Sequence, residues 1–562
     1  MLNYTSNFTN KLICLLFILI TLPISIQASI LSSTSTDNET SRTFLIQFRG
    51  IKFSDTQDEY WCQFTPQISG SYEITNISKY SKDTYMTLYD SSKAKIIIDN
   101  HDTSKTTTLA ATLLANKTYY IRIKSSSFTT NNTIICIIAQ QINEPNDPLF
   151  NEQWALLNKS TGLDINIAPV WKYPFNNSIK IGIADTGVYY EHRDLTDIIN
   201  LELSYNFSHN IKDTFPTNEM HQDFYTAVRG HGTHISGVIG AISNNNEGIA
   251  GILPNANLIS LKTLGRQLTT GTTYTKSIAA FIEAIEYAQA NNIKIINCSF
   301  GGTTPSKAEQ EAMAKATDIL FIISAGNSGN DLEVSPEYPA CYYNQNSIVV
   351  TSIDSDGNLL NNANYGGPTD IAAPGTHIIS TMPYDTYEYL GGSSISTAYV
   401  TAICGMVWSQ NPSLSPVEVK DIITNIHNVT LLDSLSNKVL CGGMINAYKA
   451  VICPNLNSFT KHIKEKRTPL SDNNLNISSS LDTFQAKTDE IIIKIDSDIL
   501  INSYLNILKT QYRFTDIYVS GYLKSINAYI LKCSSPENAD KAINILSRYN
   551  KIKYIEPNHQ RN

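Results

Sequence analysis

The alternation of hydrophobic and polar positions changes character along the chain. From 43 to 141 apolar residues alternate with polar ones in short runs at 43–48, 60–64, 71–74, 85–89, 95–98 and 119–124, with polar and glycine-containing turns between them. A period of two broken by turns reads as half-buried strands and predicts a β-sandwich domain over this region. Between 142 and 453 the texture is different: short apolar runs at 179–184, 258–264, 293–298, 319–324 and 348–352 alternate with helical patterns, one marked by Ile278, Phe281, Ile282 and Ile285. Such runs suit parallel strands buried on both faces, so an α/β, doubly wound parallel sheet is expected. A polar linker rich in Asn, Ser, Lys and Asp covers 454–487. The remainder, 488–562, reads strand 490–495, helix 499–512, strands 515–520 and 528–533, helix 536–548 and strand 552–555. That is the βαββαβ order of a ferredoxin-like α+β domain.

At the start, Lys11 precedes an apolar run over 12–26, broken by Pro23 and followed by Gln27-Ala28-Ser29. This fits a secretory signal peptide over 1–28, cleaved near Ala28. The run falls short of the ~20 residues a bilayer span needs, and no later stretch is long and apolar enough. A secreted, cell-surface or periplasmic protein with no stable membrane span after cleavage is expected. With 42% hydrophobic and 16% charged residues the rest reads as globular, and a net charge of −8 gives no footprint for nucleic acid. Losing Cys14 with the signal leaves eight of nine cysteines. An even count in an exported chain makes disulfide bonds an expectation, with Cys62 and Cys136 a plausible pair in the sandwich region. No cysteine–histidine spacing suggests zinc.

The chemistry gathers in four stretches. Ile181-Gly182-Ile183-Ala184-Asp185-Thr186-Gly187 ends a buried strand in an aspartate. Gly230-His231-Gly232-Thr233-His234 opens a helix whose apolar face runs Ile235, Val238, Ile239 and Ile242. Ile322-Ile323-Ser324-Ala325-Gly326-Asn327 ends another strand in an asparagine. Gly391-Gly392-Ser393-Ser394 turns tightly into a helix with Ile395, Tyr399, Ala402 and Met406 at helical spacing. The serine thus sits at a helix N-terminus, where unpaired N–H groups and the dipole favour developing negative charge. A nucleophilic serine needs a histidine to take its proton and a carboxylate to orient the imidazole, and the acyl oxyanion needs donors. In parallel sheets ligands lie beyond the carboxyl ends of the strands, where Asp185, Asn327 and the 299–302 segment all fall.

In the order Asp, His, Asn, Ser, these motifs resemble the subtilisin-like serine peptidases (subtilase family), and the likeness extends from about Asn146 to Val451. It includes Asn146-Asp147-Pro148-Leu149-Phe150, Ser299-Phe300-Gly301-Gly302, Ala372-Ala373-Pro374-Gly375-Thr376 and Gly443-Met444-Ile445-Asn446-Ala447. The resemblance implies a serine endopeptidase. Ser394 would be its nucleophile, His231 its general base and then acid, and Asp185 the orienting carboxylate; Asn327 and the Ser394 N–H would form the oxyanion hole. Ser299, Phe300 and Gly301 would pair with extended polypeptide substrates. Aligning Tyr338-Pro339 with the family puts Glu337 at the base of the pocket for the residue before the scissile bond, where it would favour Arg or Lys. The serine motif departs from the family's Gly-Thr-Ser-Met-Ala-x-Pro: Ser393 stands for Thr, Ile395 for Met, Ser396 for Ala and Ala398 for Pro. Taking Ser393 as nucleophile would lose the alignment of Val400 and of the helix face. His234 is a weaker candidate base, and His192 reads as structural.

The resemblance also implies calcium, held by side chains of Asp147, Asp194 and Asn245 and by carbonyls of Ile242, Glu247 and Ile249, an oxygen-only set. No cofactor is implied for catalysis. The 488–562 segment resembles the family's propeptide-inhibitor domain, ending in Lys553-Tyr554-Ile555-Glu556-Pro557-Asn558, although in the family that domain comes before the catalytic one. It implies an enzyme kept latent by its own tail, and Lys464-Glu465-Lys466-Arg467 in the linker is a candidate cleavage site. The 43–141 region resembles the pre-peptidase sandwich of secreted bacterial peptidases. The competing expectation is a catalytically weak peptide-binding or adhesive surface protein.

Overall fold

The computed structural model describes most of residues 144–216, then 227–266, 274–452, 488–558 and 560–561, and before 144 chiefly the strands between 30 and 141. The signal sequence and the 454–487 linker with Arg467 lie outside the described residues. Two compact units result, Met1–Asn143 and Glu144–Asn562.

The first unit holds two antiparallel sheets. One orders Ile30–Leu31, Ser41–Ile46, Ile134–Gln141, Gly70–Ser78 and Thr106–Leu113; the other orders Glu59–Phe64, Tyr119–Ser125, Thr84–Tyr89 and Lys95–Ile98. Ile74, Leu109 and Leu113 of the first and Met86, Leu88 and Ile121 of the second are buried. Cys62 and Cys136 fall on strands of different sheets, and their side chains are outside the described residues.

The second unit is built on nine strands in the order Tyr205–Asn206, Asn257–Lys262, Lys180–Asp185, Ile295–Cys298, Leu320–Ser324, Ser347–Ile353, Ile371–Pro374, Gly443–Ile445 and Val429–Leu431. All neighbours run parallel except the last pair, which is antiparallel. Alternate residues of each strand serve opposite faces. Ile181, Ile183, Ile295, Ile322 and Ile348 pack under helices Ala227–Gly240 and Ser393–Gln410. Ala184, Ile296, Phe321 and Val349 pack under helices Ile278–Ala290 and Lys307–Lys315. Two-faced burial explains the unbroken apolar runs of these strands. Among the described residues no helix is long and apolar enough to cross a membrane.

The tail forms a four-stranded antiparallel sheet ordered Tyr518–Leu523, Ala528–Lys532, Glu490–Ile495 and Ile552–Pro557. Ile491, Ile493 and Ile495 face its own helices, Ile499–Tyr512 and Pro536–Leu546. Ile492, with Leu523, Ala528 and Ile530, turns the other way and joins Phe281 and Ile285 in one apolar cluster. The sheet therefore lies on the two helices of the larger sheet's second face. The strand expected at 515–520 runs Tyr518–Leu523 instead, because a bulge at Ser520 shifts the register and carries the strand on to the buried Leu523.

The disulfide expectation is overturned. Cys298, Cys341, Cys404, Cys441 and Cys533 are buried thiols outside any disulfide, and no disulfide occurs among the described residues. They sit singly in apolar packing, as small hydrophobic groups do.

Candidate active site

Asp185 is the last residue of its strand and is fully buried. Its carboxylate accepts the Thr186 N–H at 2.7 Å and holds His231 Nδ1 at 2.9 Å from both oxygens. His231 lies in the second turn of helix Ala227–Gly240, and the absence of a side chain at Gly232 lets that helix approach: a Cβ there would stand 2.3 Å from the Gly187 carbonyl. The imidazole remains 20% exposed while its carboxylate partner is sealed. Burial works against a charged His231, but the charge of Asp185 and its hydrogen bond outweigh it and raise the pKa above the ordinary 6.5.

The Ala227–Gly240 helix packs against helix Ser393–Gln410. Gly392, at φ +118°, makes the turn into the latter, and a Cβ on it would meet Asn327 Oδ1 at 3.0 Å. Both conditions require glycine. Ser394 is partly exposed, its Oγ donates to the Ser299 carbonyl at 3.3 Å, and Ser299 Oγ donates back to the Ser394 carbonyl at 2.9 Å. Among the described residues no hydrogen bond joins Ser394 Oγ to His231. In substrate-free sites such bonds are often long or misaligned and tighten with substrate. Ser393, by contrast, is fully buried, with its hydroxyl bonded to Ser324 and Asn327.

Asn327 has one orientation. Its Oδ1 accepts the Ser393 N–H at 2.8 Å, and since a backbone N–H can only donate, the atom facing it must be oxygen. Nδ2 is left as the donor at the Gly392 turn. Ser299 and Gly301 follow strand Ile295–Cys298, and the Phe300 ring is held edge-on against Phe281 at 5.2 Å. Gly302 exchanges backbone hydrogen bonds with Tyr338. That exchange brings Glu337 alongside: its Oε2 stands 3.8 Å from where a Cβ of Gly301 would be and 2.3 Å from that of Gly326. Its Oε1 accepts from Asn364 Nδ2 at 2.8 Å and from Ser328 Oγ at 2.9 Å. A carboxylate thus sits between the segment before Asn327 and the segment after Ser299.

His234 is fully buried, with Nε2 facing the carbonyls of Ile378 and Glu388, and burial drives its pKa down to about 3. His192 is also buried, donating to the Thr386 carbonyl and accepting the Asp194 N–H through its rings' two nitrogens. His234 thus braces the hairpin of strands Ile378–Met382 and Thr386–Leu390, and His192 ties its own loop to the same hairpin.

Asp147 and Asp194 are buried near one loop. Asp147 accepts the N–H groups of Asn244 and Asn245; Asp194 accepts from Ile249 N–H, Tyr387 Oη and Asn245 Nδ2. Burial, with the charge of Asp194, pushes the Asp147 carboxyl up despite these donors. The nearby Arg193 is engaged with Glu247 and Asp385 instead. The two buried carboxylates are joined through Asn245, whose amide nitrogen faces Asp194 and whose oxygen accepts the Glu247 N–H, and their paired negative charge suits a hard cation. No group of three or more His, Cys, Asp or Glu side chains is placed to hold a metal ion among the described residues, so carbonyls must complete any such shell.

Sequence reasoning missed three features. The hydroxyl pair Ser324–Ser393 lies behind Asn327, and only its place beside Asn327 in the motif could have signalled it. Strand Tyr274–Ser277, short and polar, pairs antiparallel with Gln560–Arg561 of the tail. Glu556 and Asn558 also anchor the tail, their side chains accepting N–H groups at the starts of two helices.

The sequence profile of the subtilase family (peptidase S8) matches residues 176–441. Thermitase of Thermoactinomyces vulgaris is 33% identical over 309 residues, covering 55% of this chain and 99% of its own length. Subtilisin Savinase of Lederbergia lenta is 32% identical over 49% of this chain and 91% of its own. A solved protease chain from Pseudoalteromonas arctica overlays with a TM-score of 0.47 at 22% identity, across 55% of this chain and 99% of its own.

Proposed function

Because this chain belongs to the subtilase family and is a subtilisin-like serine endopeptidase, we propose that Ser394, His231 and Asp185 are its catalytic triad. The observation that carries this is the sealed Asp185 carboxylate gripping Nδ1 of a partly exposed imidazole, with a helix-start serine on the adjoining helix. Nδ1 carries the proton toward Asp185, which leaves Nε2 basic. Ser394 Oγ turns from the Ser299 carbonyl, gives its proton to Nε2 and attacks the scissile carbonyl carbon. Asn327 Nδ2 and the Ser394 N–H hold the oxyanion. His231 then protonates the departing amine, and a water molecule, activated by the same nitrogen, releases the acyl group. Ser299, Phe300 and Gly301 bind the extended substrate backbone as an added strand. The side chain before the scissile bond faces Glu337, which favours Arg or Lys through charge-assisted hydrogen bonds. Labelling with a fluorophosphonate tests the triad: the adduct belongs on Ser394, and a label on Ser393 or none at all would overturn it.

Calcium would be held by Asp147, Asp194 and Asn245 side chains with the Ile242, Glu247 and Ile249 carbonyls. When bound it neutralises the two carboxylates and ties the segment at Asp147 to the loop after the His231 helix.

The tail reads as an intramolecular inhibitor of propeptide type, with its ferredoxin-like sheet seated on helices Ile278–Ala290 and Lys307–Lys315. Three contacts support this: the shared apolar cluster, the Glu556 carboxylate at Ser306, Lys307 and Ala308, and the Gln560–Arg561 strand beside Tyr274–Ser277. The same family reading makes the protein a secreted enzyme.

A further inference from the structure

We propose that Ser324 and Ser393 form a hydroxyl relay that positions and polarises Asn327 for oxyanion binding, an inference that rests on the assignment of Asn327 above. Ser393 Oγ lies 3.1 Å from Asn327 Oδ1 and 2.7 Å from Ser324 Oγ, and it accepts the Gly326 N–H at 3.1 Å. The proton count fixes the direction. Asn327 Oδ1 can only accept, so the single Ser393 proton goes to it; the bond between the two serines must then be donated by Ser324. Ser393 Oγ is left with one proton given and two lone pairs filled, by Ser324 and by Gly326. Asn327 Oδ1 likewise fills both lone pairs, with the Ser393 hydroxyl and the Ser393 N–H at 2.8 Å. The amide can neither flip nor swing. The chain Ser324 O–H to Ser393 O–H to Asn327 C=O runs in one sense through a buried site, as Ser324 is 6% and Ser393 0% exposed.

Hydrogen bonds donated into an amide oxygen draw electron density from its nitrogen, and aligned bonds in a dry interior reinforce each other. The Nδ2–H at the far end becomes a stronger donor. That gain matters most when the substrate oxygen carries full negative charge, in the transition state, so it acts on kcat and not on KM. Ser324 and Ser393 are positioning residues in this account: neither touches the reacting atoms.

The test is steady-state kinetics of a peptide nitroanilide on the full chain, alongside thermal melting. Ser324→Ala and Ser393→Ala should each lower kcat about three- to tenfold at unchanged KM, the scale of one buried hydrogen bond. Ser393→Thr, which keeps the hydroxyl, should restore the rate. In an Asn327→Ala background Ser324→Ala should have no further effect. The relay is overturned if Ser324→Ala lowers kcat equally in both backgrounds, if it changes KM or melting in place of kcat, or if it changes nothing while Asn327→Ala is slow. An Asn327→Ala enzyme at the parent rate would instead overturn the oxyanion assignment beneath it. Should Ser393→Ala not fold, Ser324→Cys, a weaker donor of similar shape, gives an intermediate kcat if the relay holds and the parent kcat if it does not.

Discussion

Asn558 Oδ1 accepts the backbone N–H of Ala279 at 2.9 Å, so the end of the tail's last long strand caps the helix that carries Phe281. Two residues earlier Glu556 takes the N–H groups of Lys307 and Ala308 and the Ser306 hydroxyl, at the start of the neighbouring helix. Alternate residues of one strand point the same way, which lets this single strand serve both helix starts. Each start offers N–H groups with no intrahelical partner, and the dipole favours the Glu556 carboxylate.

Loss of either cap should loosen the tail. Glu556→Ala and Asn558→Ala each remove an interaction of about 0.5–2 kcal/mol, so the ratio of docked to undocked tail should fall by roughly a factor of two to thirty. If the tail confers latency, full-chain peptide hydrolysis rises accordingly, and the double variant exceeds both singles. Activity identical to that of the parent in the double variant would remove the inhibitory role.

Ser394→Ala should abolish measurable peptide hydrolysis with the fold intact, since it deletes one hydroxyl at a helix start. Removing a triad serine costs on the order of a millionfold in kcat, leaving the contribution of binding and the oxyanion hole. Circular dichroism and melting should match the parent. Casein cleavage at the parent rate would show that another residue is the nucleophile.

The pH profile follows from the Asp185–His231 pair. The base works only when neutral, and Asp185 raises its pKa, so the acid limb of kcat/KM should have its midpoint above 6.5. In Asp185→Asn burial is left without that opposition, so the midpoint should move down while kcat falls by about 10⁴. Linkage has a matching sign: protonated His231 bound to Asp185 stabilises the fold fully below the unfolded pKa, and that stability is lost as pH rises through the raised folded value. Rate–pH curves of the two proteins check both the position and the direction.

Calcium should stabilise the folded chain, by about 2.7 kcal/mol at a free concentration one hundred times Kd. Chelator should therefore lower the melting temperature, and Asp194→Asn should remove the response. A parent melting curve indifferent to chelator and to added calcium would rule the site out.

Glu337 should impose a basic preference before the scissile bond. A charged hydrogen bond contributes about 1.5–3 kcal/mol, so peptides with Arg there should exceed Leu analogues by roughly tenfold to a hundredfold in kcat/KM. Glu337→Gln should erase most of that ratio. Equal cleavage of both peptides by the parent would reject the assignment.

The sheet of the second unit was legible because two-faced burial writes continuous apolar runs into strands such as Lys180–Asp185 and Leu320–Ser324. The first unit was harder. Thr106–Leu113 opens on three threonines, and Ile134–Gln141 is apolar without alternation, so neither shows the period-two pattern by which strands are found. In the site, Asp185, His231 and Asn327 stood out as polar residues at strand and helix ends. The partners of Asn327 did not, because the Ser324–Ser393 contact joins positions 69 residues apart and needs the parallel sheet to bring them together. Cysteine parity suggested bridges, yet parity says nothing about packing, and the five described thiols are each enclosed by apolar neighbours.

The pairing of Lys276 with Arg561 spans most of the second unit. Every strand of the nine-stranded sheet precedes Val451, whereas the residues that cover helices Ile278–Ala290 and Lys307–Lys315 come after Thr488. During synthesis the catalytic portion is therefore complete on emergence before its cover exists. Its folding cannot lean on the tail, and the interval before the tail arrives is fixed by translation of the intervening residues.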